Sequence, residues 1–272
     1  MRIKKQLISL FLIGISFFAT AQAPKRIVSL VPAISKQLYE LGLEDNIVGC
    51  TSYCPGKDRP GVTIVASAIK VNIEKTLLLK PDLVLASSLT NPKTLETLKK
   101  MGVKTIWFDY PKSYANLCTQ FIELGKITGK EKEAQQIVNQ SDADLAEIKM
   151  NIVAVKPMKW LIQVGANPLW VSVENTFMND YIKFAKGINA AKGVQSGAVS
   201  RESILLQNPD VIFICMSGTQ AEAEKQRWIS YKSLNATQSE QVFIIDPNLT
   251  NSPTPSTFII ALEKMMDMAY NM

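Results

Sequence analysis

Apolar or small residues recur at Ala134, Ile137, Val138, Ser141, Leu145, Ile148, Ile152 and Val155, in steps of three and four. That spacing lays one stripe along an α-helix. Lys130, Glu131, Lys132, Glu133, Asp142, Asp144, Glu147 and Lys149 fall on the other faces. Gly129 and Pro157 bound the stretch, and neither residue type occurs between them. At about 1.5 Å per residue the pattern predicts a helix of roughly 40 Å. Such a helix suits a strut between two lobes, and a long surface helix of one domain is the alternative.

On both sides of this stretch, short apolar runs alternate with helical patterns. Strands are predicted at 26–31, 47–50, 83–86 and 105–108, and again at 159–164, 169–173, 211–215 and 241–245. Helices are predicted at 35–41, 72–79, 93–101 and 113–127, then at 177–185, 200–206, 220–227 and 255–270. Alternation with short connections predicts α/β structure with mainly parallel sheets. The two halves also repeat: residues 73–84 align with 201–212, with Glu, two leucines, Pro and Asp at a constant offset of 128 residues. Two copies point to duplicated lobes, since a solenoid needs three or more repeats. The reading is therefore α/β, with two Rossmann-like lobes joined by one long backbone helix. The N-terminal lobe covers 22–128, the linking helix 129–157 and the C-terminal lobe 158–272.

Residues 1–21 stand apart as an export signal. Arg2, Lys4 and Lys5 precede an apolar run over 7–19, and Ala19-Thr20-Ala21 offers a small-x-small cleavage site after Ala21. No cysteine precedes Cys50, so no lipid-attachment cysteine is expected, and the mature protein is expected as a periplasmic monomer. The formal net charge of +6 includes those three basic residues, leaving +3 on the mature chain. With basic residues scattered, no nucleic-acid partner is expected. Cys50, Cys54, Cys118 and Cys215 are expected to be buried, with a local Cys50–Cys54 disulfide open as an option. The chain has no histidine, which removes Ser-His-Asp and Cys-His triads and the usual imidazole metal ligands. Neither a G-x-G-x-x-G loop nor a G-x-S-x-G elbow occurs. An exported α/β enzyme is the competing class.

Taken together, the 72–84 and 199–210 motifs, the Gly165-Ala166-Asn167-Pro168 stretch and the Thr51-Ser52-Tyr53 loop resemble the periplasmic solute-binding proteins of ABC importers. The branch is the one with a helical backbone, which includes cobalamin binders and ferric-siderophore binders, and the likeness to the cobalamin binders is greatest. The resemblance implies a permease partner, no enzymatic activity, no cofactor and no metal site. It implies that Glu74 and Glu202, one on each lobe, dock onto permease arginines. Each glutamate also falls two residues after a capping residue, Asn72 or Ser200. A single acid there simply complements the helix dipole, whereas a matched pair on a rigid frame can fix register against guanidinium groups.

Ligand is expected between the lobes, at the C-terminal ends of the strands. The candidates are Pro32, Tyr53, Tyr110, Trp170, Ser217 and Asn248, and the resemblance places Tyr53 and Trp170 against a corrin. Trp107, Trp160 and Trp228 are assigned to packing, while Asp109 and Asp246 suit either capping or the cleft. Ala68 stands where cobalamin binders carry a tryptophan, and a cleft arginine is absent near Ser256. A ferric siderophore or haem is therefore the alternative ligand to cobalamin or a related corrinoid. Arg59, Lys70 and Arg201 are the basic residues expected nearest the cleft.

Overall fold

The computed structural model describes residues 23–67, 70–88, 90–152 and 156–270. The export signal, Ala68 and the last position of the apolar stripe, Val155, lie outside the described residues. In the first half, strands β1 (Ile27–Ser29), β2 (Ile47–Thr51), β3 (Thr63–Ala66), β4 (Leu83–Ser87) and β5 (Thr105–Phe108) alternate with helices α1 (Pro32–Glu40), α2 (Ile73–Leu78) and α3 (Pro92–Lys100). The strands form one parallel sheet in the order β3-β2-β1-β4-β5. Helices α4 (Tyr114–Thr128) and α5 (Glu131–Asn151) then lead to the second half.

The second half contains β6 (Lys159–Gly165), β7 (Leu169–Val171), α6 (Met178–Phe184), β8 (Ile188–Asn189), β9 (Ala198–Val199), α7 (Arg201–Gln207), β10 (Val211–Ile214), α8 (Gly218–Ile229), α9 (Asn235–Gln238), β11 (Val242–Ile244), α10 (Pro247–Thr250) and α11 (Pro255–Tyr270). Its sheet runs β11-β10-β6-β7-β9, with β8 also pairing β6. The β11-β10-β6 part is parallel and β7 is antiparallel to both neighbours. The sequence pattern alone misses β3, β8 and β9, which are two to four residues long and carry too few alternations to show a period.

The duplicated segment is a duplicated structure. Asn72 and Ser200 cap α2 and α7 by accepting from the amides of Lys75 and Ser203. Lys80 and Asn208, one offset apart, both turn the chain with positive φ, 44° and 46°. The aspartate that follows then ties each lobe's central strand at its start. Asp82 Oδ2 accepts from the amides of Lys25 and Arg26, each at 2.9 Å, and Asp210 Oδ2 accepts from the Lys159 amide at 2.7 Å. Pro-Asp therefore recurs because each lobe needs the same helix-to-strand return beside its first strand.

The strut differs from its prediction. Helix α5 spans 21 residues, about 30 Å rather than 40 Å. It starts only after Gly129 reverses the chain out of α4 with φ 77°, so α4 and α5 are antiparallel neighbours. The stripe Ala134, Val138, Ser141, Leu145 and Ile148 is buried, facing α4 and α11. Three helices thus form a spine, and the core on it runs unbroken from Ile27 and Leu85 of one lobe to Phe213 and Met265 of the other. Where α4 meets α5 the helices touch at Gly125: a Cβ there would lie 2.6 Å from Ala134 Cβ and 2.8 Å from the Lys130 carbonyl oxygen.

This close crossing reverses an ordinary expectation. In an open helix, Gly→Ala stabilises by about 1 kcal/mol. Gly125→Ala should instead destabilise by about 1–3 kcal/mol, the usual cost of overpacking, read as a lower urea midpoint at unchanged slope. A raised midpoint would show that the helices do not cross this tightly.

Candidate functional site

The C-terminal ends of both sheets open toward one another. In the first lobe β1 runs into Pro32 at the start of α1, β2 into the 51–54 loop, and β5 into Asp109 and Tyr110. In the second lobe β11 runs into Pro247 and Asn248 of α10. These ends enclose two adjoining chambers. One, of about 430 Å³, is lined by Pro32, Lys36, Tyr53, Cys54, Asn248 and Asn251 among others. The other, about 380 Å³, is largely apolar and includes Pro32, Phe108, Tyr110, Leu117, Phe177 and Asn251. Pro32, Asn251 and Ser252 belong to both, so the chambers are one cleft with walls from both lobes.

Local hydrogen bonds shape the first chamber. Thr51 Oγ1 accepts from the Tyr53 amide at 3.1 Å and lies 3.2 Å from Cys54 Sγ. This tight turn buries Cys54 and leaves Tyr53 68% exposed at the cleft. Asp246 accepts from the Asn248 amide at 2.8 Å, which positions Asn248. Lys36 Nζ donates to the Asn248 carbonyl across the lobes. Burial lowers the Lys36 pKa below the ordinary lysine value, with Asp246 acting in the opposite direction. In the second chamber Tyr110 lies over Phe177 with centroids 5.4 Å apart.

Of the six predicted ligand residues, the structure brings Pro32, Tyr53, Tyr110 and Asn248 together on these walls. Trp170 and Ser217 lie at the same C-terminal edge of their sheet but line neither chamber. Trp170 pairs with Gly165 at the end of β6 and packs over Gly165 and Gly197, half exposed. Ser217 is exposed at the N-cap of α8.

The assignment of Trp107 to packing is corrected. Its ring is 40% exposed and its indole N–H donates to Asp109 Oδ1 at 2.9 Å. Trp107 is the third residue of the edge strand β5, whose outer face is not covered, so a tryptophan there need not be core. Trp160 and Trp228 are fully buried. The basic residues also rearrange. Arg59 pairs with Asp45 and Arg201 with Glu224, while Lys36, which the pattern treats as an ordinary helix surface position, is the cation in the cleft.

Glu74 and Glu202 are both exposed in the first turns of α2 and α7. Neither carboxylate forms an ion pair among the described residues.

All four cysteines are buried free thiols. Burial pushes Cys118 and Cys215 up to about 12, which keeps them protonated and unreactive. Cys54 differs: hydrogen bonding from Cys50, together with the Ser35 and Thr51 hydroxyls, brings it down to about 6 and pushes Cys50 up.

Two parallel-sheet lobes on a helical spine, with a cleft at the strand ends, define a solute-binding protein. A family model described as periplasmic binding protein matches residues 27–249, and the chain belongs to that family. Family members are transport proteins that bind small solutes, not enzymes. The chain is 29% identical over 256 residues to an uncharacterized ABC transporter substrate-binding lipoprotein of Bacillus subtilis, covering 91% of this chain and 80% of that protein. It is 27% identical over 250 residues to a vitamin B12-binding protein of Vibrio cholerae, covering 89% of this chain and 88% of that one. A periplasmic heme-binding protein solved with two hemes superposes with a TM-score of 0.79 at 19% identity, over 91% of this chain and 98% of that one.

The cysteines supply a test of the cleft. After reduction, a small methanethiosulfonate should label Cys54 with a rate that rises through about pH 6, because the thiolate is the nucleophile and exists above its pKa. Cys118 and Cys215 should stay unlabelled below pH 9. Labelling that rises only above pH 8, or that is absent from Cys54, would contradict this environment.

Proposed function

We propose that the protein captures cobalamin or a related corrinoid in the inter-lobe cleft and delivers it to an ABC importer permease, with Glu74 and Glu202 as docking residues. The observation that carries this reading is the cleft itself. It has walls from both lobes, it is mostly apolar, and Tyr53 and Tyr110 offer ring faces along it. Flat apolar surface with a few amide and carbonyl groups suits a large macrocycle with amide side chains. The vitamin B12-binding relative supports the same choice. Trp170 and Ser217 belong to the proposed ligand set as the outer rim, reached by the parts of a large ligand that project beyond the chambers. The mature chain works as a monomer in the periplasm, and the lobes close little on binding, because α5 has no loop to absorb a hinge.

Lys36 favours a second reading. A cation on the cleft wall pairs well with the carboxylates of haem or an anionic ferric siderophore, and a heme-binding protein has the same fold.

Visible-spectrum titrations separate the two. Cyanocobalamin should bind saturably at one equivalent, and Tyr53→Ala with Tyr110→Ala should weaken it at least tenfold, about 1.4 kcal/mol. Lys36→Met should leave corrinoid affinity within about threefold, a loss under about 1 kcal/mol. Tight haemin binding that Lys36→Met abolishes, without corrinoid binding, would replace the first reading by the second.

Docking has a separate readout. Glu74→Ala combined with Glu202→Ala should abolish uptake into cells while the spectral titration stays unchanged. A loss of ligand affinity in that variant would place the glutamates in the ligand site or the folded core instead.

A further inference from the structure

The two most exposed large hydrophobic side chains among the described residues are Leu206, at 86%, and Leu78, at 79%. They stand at the same offset as Glu74 and Glu202, four residues after each glutamate on α2 and α7. Residues i and i+4 share a helix face with Cβ atoms about 6 Å apart. Each lobe therefore presents an unpaired carboxylate and a bare leucine side by side, and the two lobes present them in equivalent places.

Neither leucine helps its own lobe. On the same helices Leu77 and Leu205 turn inward and pack on the cores. A single exposed leucine is ordinary. A matched pair, the most exposed of its kind and each beside an unpaired acid, is what a surface made to be covered looks like. An acid that gives orientation next to an apolar group that gives burial is also the usual composition of a binding hot spot.

We infer that Leu78 and Leu206 are apolar anchors of the docking surface, seated in two matching apolar depressions of the permease. Each depression lies one helical turn from the cation that receives the glutamate. This rests on the reading of Glu74 and Glu202 as docking residues. The occupant is a partner with two like sites, because the surface is itself two like halves. Each site must be cationic to complement an unpaired carboxylate and apolar to cover the leucine.

The test is the affinity of the ligand-loaded protein for its reconstituted importer in lipid nanodiscs, followed by fluorescence. Leu78→Ser with Leu206→Ser should weaken docking at least tenfold, and each single change should account for a comparable share. Leu78→Met with Leu206→Met should restore it. Thermal midpoint and ligand titration should not move, since neither side chain is packed. If the leucine variants dock normally while Glu74→Ala with Glu202→Ala does not, the anchors are wrong and the docking reading stands. If both sets dock normally, both fail. An effect from one leucine alone would overturn the twin arrangement. If sedimentation shows a wild-type dimer that the serine variant lacks, a second copy of this chain is the occupant instead of the permease.

Discussion

The rings of Tyr114, Tyr181, Phe184 and Phe258 meet where the lobes join, and the frame depends on their contact. Tyr181 of α6 stacks on Phe258 of α11 with centroids 4.2 Å apart, and Phe258 lies 4.7 Å from Tyr114 of α4. Phe184 closes the group edge-on against both Tyr114 and Phe258. The buried carboxylate of Asp180 then accepts from the Tyr114 amide at 2.8 Å, so one lobe supplies an acceptor to the first turn of the other lobe's spine helix. Aromatic contacts of this kind contribute about 0.5–1.5 kcal/mol each beyond their buried area. Rotating the lobes apart would break several of them at once and strip Tyr114 N–H of its partner. A shared close-packed core deforms far less readily than a hinge loop.

That rigidity gives the docking proposal its physical sense. Two glutamates and two leucines can act as a ruler only if their separation is nearly constant. Helices α2 and α7 are set by the same return, an αL residue followed by an aspartate bonded to the central strand. Both central strands in turn pack on the spine. The cleft faces the other requirement. Its contacts lie on loops at the strand ends, where side chains can vary without disturbing the spine.

Much of this frame was legible in the chain. The α5 stripe, the duplicated Pro-Asp returns and the alternation of strands and helices rest on local rules, and the structure has them. The periodicity overestimates the length of α5 because Lys130 and Ile152 fit the helical period yet stand as the caps of the helix. Only the packing of α4 on α5 shows where the chain must turn. The cleft was partly legible: Pro32, Tyr53, Tyr110 and Asn248 follow from the rule that ligands meet strand ends. Lys36 was not, because its place on the cleft wall depends on how α10 approaches α1, a contact 212 residues apart in sequence. The exposed leucines were hidden for the opposite reason. In a sequence, Leu78 and Leu206 look like core residues.

The two lobes hold α2 and α7 by different means. In the second lobe Arg201, next to Glu202, forms a 2.6 Å ion pair with buried Glu224 and lies over the Trp228 ring at 4.3 Å. Glu224 also accepts from Gln163 Nε2 at 2.7 Å, and Gln163 accepts from the Trp228 indole at the same distance. Both Glu224 oxygens are engaged, one by Arg201 and Gln163 and the other by Arg227 at 3.1 Å, and a buried carboxylate persists only when it is partnered in this way. In the first lobe the position equivalent to Arg201 is Ile73, which packs on the apolar core. Charge anchors one helix and hydrophobic burial the other, yet the glutamate, the exposed leucine and the return aspartate are the same in both, and a side-chain cap, Asn72 or Ser200, opens each helix. Where the interior differs and exposed Lys75 is replaced by Ser203, the exposed glutamate and leucine are unchanged, and these are the two side chains that a partner would touch.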